Sequence, residues 1–330
     1  MIRLTWNDHI PAVLMPVMAL ASTDFIAETQ SQFDAFDVRL AVRERRTAPV
    51  VDWMLAALSL QGISDAAAFA YDAQHGGIRS AEVDWHLRQA PECERLRSYW
   101  TSDACRYRKA ARTCAEPAIL ARCPLPRHDL RKGGLNVAAY GLQLFVRDIC
   151  DGDIVGWIDA RLKAADPSKC AIDRAATMRE AIIAPLENIP NTGRKLWSMI
   201  LADLLLAADP NRERWVTAGA SLIAVDTLVH AFLHRTGVLR RHDAEHRYGD
   251  ACYGPNGCTA IIAAVAERID ARTFNASFPR VFPRFIQFAI WQFCAADHRN
   301  ICNGNRIDDR WRCQQRTCPS FRMCDRVSIV

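Results

Sequence analysis

Apolar residues recur at helical spacing along most of this chain, and the alternating pattern typical of strands is scarce. The spacing is clear over Leu135–Ile149 and over Lys195–Ala208, which end at the turn signals Asp151-Gly152 and Asp209-Pro210. The same spacing predicts further helices, which are Val51–Gln61, Arg212–Ala224, Asp226–Arg235 with Gly237 after its end, Thr259–Ile269 and Phe285–Phe293. The sequence therefore predicts an all-α fold.

Composition narrows the class of protein. The chain has 330 residues, 50% of them apolar, so it can bury one large core or two small ones. No segment approaches the roughly 18–20 uninterrupted apolar residues of a membrane helix. The apolar patch Ile10–Leu20 is interrupted by Pro11 and Pro16, and it makes an unconvincing signal peptide. We therefore expect a cytoplasmic protein with no membrane partner.

Charge and cysteine content add two constraints. The net charge of +5 permits a nucleic-acid partner without requiring one. Thirteen cysteines are many for a cytoplasmic chain, and the number is odd. A disulfide framework is therefore disfavoured, and the cysteines are expected to be metal ligands or small buried apolar residues.

A turn signal separates two predicted helices at Ile189-Pro-Asn-Thr-Gly-Arg-Lys195. Pro190 fixes the entry to the turn, and Gly193 can take the positive φ that a tight hairpin needs. The free N–H groups at the start of the next helix are then available to a phosphate, with the helix dipole in support. Ordinary turns have the same pattern, and Lys195 can equally be a solvated residue or a phosphate contact.

A second signal lies about thirty residues further on, at Val225-Asp226-Thr227. Asp226 follows an apolar segment and precedes a predicted helix, where an aspartate caps the free N–H groups of the first turn. The capping role alone can account for an aspartate at this position. The alternative is that the Asp226 carboxylate acts on a ligand.

Cysteines cluster near the C-terminus as C-x10-C-x4-C-x5-C, at Cys302, Cys313, Cys318 and Cys324. Four thiolates at this density fit a 4Fe–4S cluster or a tetrahedral zinc ion. Cys294 is an alternative first ligand to Cys302. A basic loop runs through the cluster, with Arg306, Arg310, Arg312 and Arg316.

The remaining cysteines give weaker signals. Cys252 and Cys258 are interpreted as structural thiols. The segment 81–126 contains Cys93, Cys105, Cys114 and Cys123 at a spacing that matches no metal site known to us, and it is interpreted as an insertion with buried thiols.

Taken in chain order, the hairpin, the aspartate helix and the cysteine cluster resemble the helix-hairpin-helix DNA glycosylase superfamily, in particular its endonuclease III-like members with an iron–sulfur cluster. The resemblance covers Val50–Gly77 and Leu135–Arg326. It departs from the family at Asn191, where a glycine is usual, although asparagine tolerates the left-handed geometry of such a turn. It also departs in a longer gap between Lys195 and Asp226 and in the two longer gaps of the cysteine cluster.

This resemblance implies roles for individual residues. Asp226 would lie at the mouth of the base pocket, and Lys195 would mark an enzyme that also cleaves abasic sites. Leu58-Ser59-Leu60-Gln61 resembles the segment whose glutamine fills the space that a flipped base leaves. The DNA-binding set would be Gln61, Asn191, Gly193, Arg194, Arg312 and Arg316, and a 4Fe–4S cluster would occupy Cys302, Cys313, Cys318 and Cys324.

The fold implied has two helical domains with the active site in the cleft between them. A helical barrel at residues 50–209 would carry the helix-hairpin-helix motif and the insertion 81–126, and residues 1–49 plus 210–330 would carry the cluster loop. The expected function is excision of a damaged or modified base from double-stranded DNA, with abasic-site lyase activity. The protein is expected to be a monomer, and to be nucleoid-associated if it is bacterial. The alternatives are a non-catalytic iron–sulfur DNA-binding protein and a zinc-stabilised scaffold unrelated to DNA.

Overall fold

The computed structural model describes residues 9–59, 65–89, 93–102, 105–108, 110–111, 113–116, 134–169, 171, 173–304 and 306–329. Helices dominate this part of the chain, which confirms the all-α prediction. They are α1 His9–Met18, α2 Phe25–Asp34, α3 Val38–Glu44, α4 Thr47–Ser59, α5 Asp65–His75, α6 Ser80–Arg88, α7 Tyr99–Ser102, α8 Gly134–Asp148, α9 Ile154–Ala165, α10 Arg174–Leu186, α11 Arg194–Ala207, α12 Glu213–Ala220, α13 Thr227–Arg235, α14 Val238–Arg241, α15 Cys258–Ala266 and α16 Pro283–Cys294. Short 3-10 helices lie at Glu94–Leu96, Asp250–Tyr253 and Ala271–Thr273.

Most of the predicted helices are present to within about three residues at each end. Helix α4 begins four residues before the predicted Val51, and the predicted end at Gln61 lies outside the described residues. The clear exception is Arg212–Ala224, because α12 ends at Ala220. The Leu222 N–H donates to the Gly219 carbonyl in a turn, and residues 222–225 are all buried without helical structure. A run that is buried on every side has no polar face, so helical spacing cannot be recognised in it.

The insertion 81–126 contains strand structure that the sequence did not predict. Tyr107–Arg108 pairs antiparallel with Thr113–Cys114, with Tyr107 opposite Cys114. Helices α6 and α7 precede this two-stranded ribbon. Strands of two residues are too short to show an alternating pattern in the sequence.

Contacts divide the chain into two compact units. Unit 1 comprises Met1–Phe25 and Gly219–Val330, and unit 2 comprises Ile26–Ala218. The predicted domain boundaries remain a prediction. Within unit 2, α4 packs on α6, α8 and α11, and α9 packs on α10, around buried residues such as Trp53, Tyr140 and Trp197.

Unit 1 is built around α16, which packs on α1, α13 and α15. Phe293 of α16 meets Phe232 of α13 edge to face, with ring centroids 6.0 Å apart. The C-terminal segment is fastened to this core by backbone hydrogen bonds, because the Val327 N–H donates to the Arg235 carbonyl and the Ile329 N–H to the Asp309 carbonyl. Its Ser320 hydroxyl donates to the Val13 carbonyl of α1.

An ion-pair network around the buried Arg174 stabilises unit 2. Arg174 makes two hydrogen bonds to Asp166 and two to Glu213, and Arg214 also donates to Asp166. These bonds connect α12 and the N-terminus of α10 to the end of α9. None of the described helices is long and apolar enough to cross a membrane.

Candidate functional site

The turn between α10 and α11 spans residues 187–193 and differs from its prediction in one dihedral angle. Gly193 has φ −171° and ψ 173°, which is extended backbone, so the prediction that it takes a positive φ is wrong. Asn191 has φ 60° instead, and asparagine is among the residues that tolerate the left-handed region best. The left-handed residue therefore lies at the position where the glycosylase hairpin has a glycine.

Side chains on both flanks hold this turn. The Thr192 hydroxyl donates to the Ile189 carbonyl at 2.6 Å, and the Trp197 indole N–H donates to the same hydroxyl at 2.8 Å. The turn also lies directly on α8, because a Cβ at Gly141 would come within 2.9 Å of the Ile189 side chain and 3.0 Å of Pro190. Gly141 is thus needed for the close approach of the turn.

The N-terminus of α11 is uncapped by a side chain, since its N-cap is Gly193. The space above Gly193 is open, because nothing lies within 4 Å of the position that a Cβ would occupy. Lys195 is half-buried in the first turn, and no carboxylate in the described ranges forms an ion pair with it. Arg194 is paired with Glu180 and Glu187, so a phosphate at Arg194 would compete with two carboxylates.

Asp226 is the N-cap of α13, as predicted. Its carboxylate accepts a hydrogen bond from the Val229 N–H at 2.8 Å, and the residue is half-buried. Tyr253 forms hydrogen bonds with both backbone groups of the preceding residue, Val225. Its N–H donates to the Tyr253 hydroxyl at 3.1 Å, and the hydroxyl donates to its carbonyl at 3.3 Å. The backbone that carries Asp226 is therefore fixed by a side chain from the 3-10 helix Asp250–Tyr253.

The four cysteines predicted as cluster ligands line one cavity of unit 1. The cavity measures about 340 Å³ when space open to solvent is included. Its other lining residues include Phe232, Phe293 and Ile307, while Cys294 is not among them. Cys302 and Cys313 are buried, and Cys318 and Cys324 are half-buried. Burial raises the pKa of Cys318 to about 11 and that of Cys324 to about 12.

A buried arginine and backbone amides face these sulfurs. Arg235 donates to the Cys302 Sγ at 3.4 Å and forms an ion pair with Asp309. A hydrogen bond from Cys294 and the charge of Arg235 lower the pKa of Cys302. The Arg326 N–H donates to the Cys324 Sγ at 3.3 Å. At Cys302 these contacts favour the thiolate, which is the form that binds metals. At Cys324 burial outweighs the contribution of the N–H donor.

Arginines surround a groove beside the cysteine cavity. Arg312, Arg316, Arg322 and Arg326 line it together with Cys313 and Cys318, and its volume is about 1280 Å³ with open solvent included. The first three of these arginines are exposed, and no carboxylate of the described segments pairs with them. Arg310, by contrast, donates to Asp308 at 2.6 Å. Arg312 and Arg316 are therefore free to contact an anion.

A second group of possible metal ligands was missed by the sequence predictions. His230, His246, Cys252 and Cys258 each offer one ligand atom, and these four atoms all lie within 4.8 Å of one another. His230 belongs to α13, Cys252 to the 3-10 helix, and Cys258 is the first residue of α15. The interpretation of Cys252 and Cys258 as isolated structural thiols was therefore incomplete. Hydrogen bonding with the Cys258 thiol and with His230 lowers the pKa of Cys252.

Two other predictions remain open. Gln61 lies outside the described residues, and so does Cys123 of the insertion. Burial raises the pKa of Cys105, and the neighbouring thiols of Cys93 and Cys114 act in the same direction. Cys93 is buried, while Cys105 and Cys114 are half-buried.

Comparison with protein-family models, with curated proteins and with solved structures found no match to this chain. The class of this protein is therefore defined by its fold and by its possible metal site. It is an all-α protein with a His₂Cys₂ group, buried except for the half-buried His246, that can hold a metal ion.

Proposed function

We propose that this protein is a DNA glycosylase that excises a damaged or modified base after base flipping and then cleaves the abasic site through a lysine Schiff base. Asp226 would stabilise positive charge on the deoxyribose, and Lys195 would supply the amine. The cofactor would be a 4Fe–4S cluster on the four C-terminal cysteines. The observation that carries the proposal is the turn before Lys195, whose geometry suits a phosphate.

Three features of that turn support phosphate binding. Asn191 supplies the left-handed residue, Gly193 leaves the N-terminus of α11 without a side-chain cap, and the space above Gly193 is open. The N–H groups of a first helical turn have no intrahelical acceptors, and the helix dipole adds partial positive charge there. A DNA phosphate fits these donors, and such a contact positions the duplex without reading its sequence.

The chemistry requires a carboxylate and an amine with different tasks. Breaking an N-glycosidic bond builds positive charge on the sugar, which a preorganised carboxylate stabilises. Asp226 is preorganised, because its own cap hydrogen bond and the Tyr253 contacts to Val225 fix its backbone. An amine that attacks C1′ must be neutral when it reacts. Lys195 is half-buried in the first turn of α11, and no carboxylate of the described residues forms an ion pair with it.

The four C-terminal cysteines are the ligands that we propose for the cluster. Cys302, Cys313, Cys318 and Cys324 line one cavity. Four thiolates are the usual ligands of a 4Fe–4S cluster, and they are also a standard tetrahedral set for zinc. The iron and zinc content of the pure protein distinguishes the two.

A panel of duplexes, each with one modified base, tests the proposed function. We expect the parent protein to release one free base, detected by mass spectrometry, and Asp226→Asn to release far less. Arg310→Gln is a matched surface control, because Arg310 already pairs with Asp308 and should not be needed. Release from no member of the panel, together with tight duplex binding, would instead support a non-catalytic DNA-binding protein.

A further inference from the structure

The four donor atoms of His230, His246, Cys252 and Cys258 are arranged like the corners of a zinc coordination tetrahedron. With Zn–S bonds of about 2.3 Å and Zn–N bonds of about 2.0–2.1 Å, a sulfur and a nitrogen on one ion lie about 3.5 Å apart. The His230 Nδ1 is 3.4 Å from the Cys258 Sγ and 3.5 Å from the Cys252 Sγ. The His246 Nε2 is 3.5 Å from the Cys258 Sγ.

The surroundings orient these ligands. The His246 Nδ1–H donates to the Ala244 carbonyl at 2.6 Å, which leaves the lone pair of Nε2 directed at the thiols. Metal-binding histidines usually have such a partner on the second ring nitrogen. Gly257 allows the close approach, because a Cβ there would come within 2.2 Å of the Ala251 carbonyl oxygen and 2.5 Å of that of Cys252.

We infer that His230, His246, Cys252 and Cys258 bind one structural zinc ion. Two imidazoles and two thiolates are a common set for zinc, and four protein ligands close the coordination shell, which is typical of structural rather than catalytic sites. His230, Cys252 and Cys258 are buried, so without a metal their polar atoms would depend on weak thiol–imidazole contacts.

The inferred zinc ion has a consequence for Asp226, and this step rests on the proposed function. The ion would join α13, which begins directly after Asp226, to the 3-10 helix Asp250–Tyr253. Tyr253 follows the ligand Cys252 and holds the N–H and carbonyl of Val225. Zinc would therefore position the Asp226 carboxylate through two connections, one through α13 and one through Tyr253 and Val225. The ion itself would take no part in the chemistry.

The first test uses the parent protein after dialysis against a chelator. Elemental analysis should find about one zinc per chain in addition to any iron. Zinc-edge X-ray absorption should show two sulfur neighbours at about 2.3 Å and two nitrogen neighbours at about 2.0 Å. Absence of zinc, four sulfur neighbours, or a disulfide between Cys252 and Cys258 would overturn the inference.

The second test uses variants of one ligand. His246→Ala should lose the zinc while iron content stays at the parental level, and His246→Cys should retain the zinc because cysteine is also a zinc ligand. Cys150→Ala is the control, since Cys150 is a buried free cysteine of unit 2. Parental zinc content in His246→Ala would refute the assignment. If His246→Ala does not fold, the absorption spectrum of the parent protein still decides.

The third test separates the zinc ion from the proposed function. Tyr253→Phe should keep the zinc, but the amide of Val225 should exchange with solvent roughly tenfold faster because its hydrogen-bond acceptor is gone. His246→Ala should show the same acceleration through loss of the metal. Zinc-loaded protein without glycosylase activity would leave the zinc site standing and defeat only the proposed function. If the exchange rate of the Val225 amide is unchanged in His246→Ala, the zinc ion does not position the backbone that carries Asp226.

Discussion

Replacing Asp226 with asparagine separates its structural task from its catalytic one. The Asp226 carboxylate accepts one hydrogen bond, from the Val229 N–H at 2.8 Å, and an asparagine carbonyl can accept the same bond. The free energy of unfolding should therefore change by less than about 0.5 kcal/mol, whereas Asp226→Ala should lose about 1 kcal/mol with the cap. A carboxylate about 4 Å from a cationic sugar contributes about 4 kcal/mol at an effective dielectric constant near 20. Excision by Asp226→Asn should thus slow roughly a thousandfold.

The assay is single-turnover base release on the duplex that the parent protein cleaves fastest, with denaturant unfolding of the same three proteins. DNA affinity of Asp226→Asn should equal or exceed that of the parent, because a negative charge near phosphates is removed. If Asp226→Asn excises the base at the parental rate, Asp226 is only a helix cap and has no catalytic role. Equal destabilisation by asparagine and alanine would contradict the capping role.

Three further predictions concern the cofactor, the DNA surface and pH. Anaerobically purified protein should be brown and should contain about four irons per chain. Cys313→Ala should lose that iron, whereas the control Cys150→Ala should keep it. A colourless parent protein with zinc in the cysteine cavity would contradict the cluster. Charge reversal at Arg312 or Arg316 should weaken binding to all duplexes about equally and reduce its salt dependence, as measured by fluorescence anisotropy, and an unchanged salt slope would count against this surface. Hydrogen bonds from Arg174 and Arg214 hold the pKa of Asp166 well below its usual range, so its stabilising effect should be complete above about pH 4 and disappear as the pH falls further. Asp166→Asn should accordingly be less stable than the parent at pH 7 in denaturant unfolding, with a difference that shrinks below pH 4; a difference that is independent of pH would refute this.

Much of the fold could be predicted because helical periodicity and breakers are local signals. Helix α8 follows the predicted Leu135–Ile149 to within one residue, and Asp226 caps α13 as its position suggested. The end of α12 could not be predicted, because the buried run 222–225 has no polar residues to define a helical face. The left-handed conformation of Asn191 agrees with the tolerance of asparagine for a positive φ. The extended conformation of Gly193 escaped prediction because glycine permits either conformation, and only tertiary packing selects one.

The candidate sites were predictable only in part, for a physical reason. Cys302, Cys313, Cys318 and Cys324 are close in sequence, so their density alone indicated a common site. The possible ligands His230 and His246 are separated by the end of α13 and by α14, and no spacing rule connects them to Cys252 and Cys258. The available signal was the C-x5-C pair with four histidines upstream within thirty residues, at His230, His234, His242 and His246. Only the folded chain shows which two of them lie beside the thiols.

Borohydride trapping tests the central claim most directly. If Lys195 attacks C1′ of an abasic site, reduction of the Schiff base should link the parent protein covalently to abasic DNA, visible as a slower band on a denaturing gel. Lys195→Gln should lose the adduct while it retains the fold and most DNA binding, because Lys195 has no ion-pair partner among the described residues. Arg310→Gln should trap as the parent does. Trapping of Lys195→Gln at the parental level would contradict the assignment of the nucleophile, and absence of any adduct or base release from the parent would contradict the glycosylase itself.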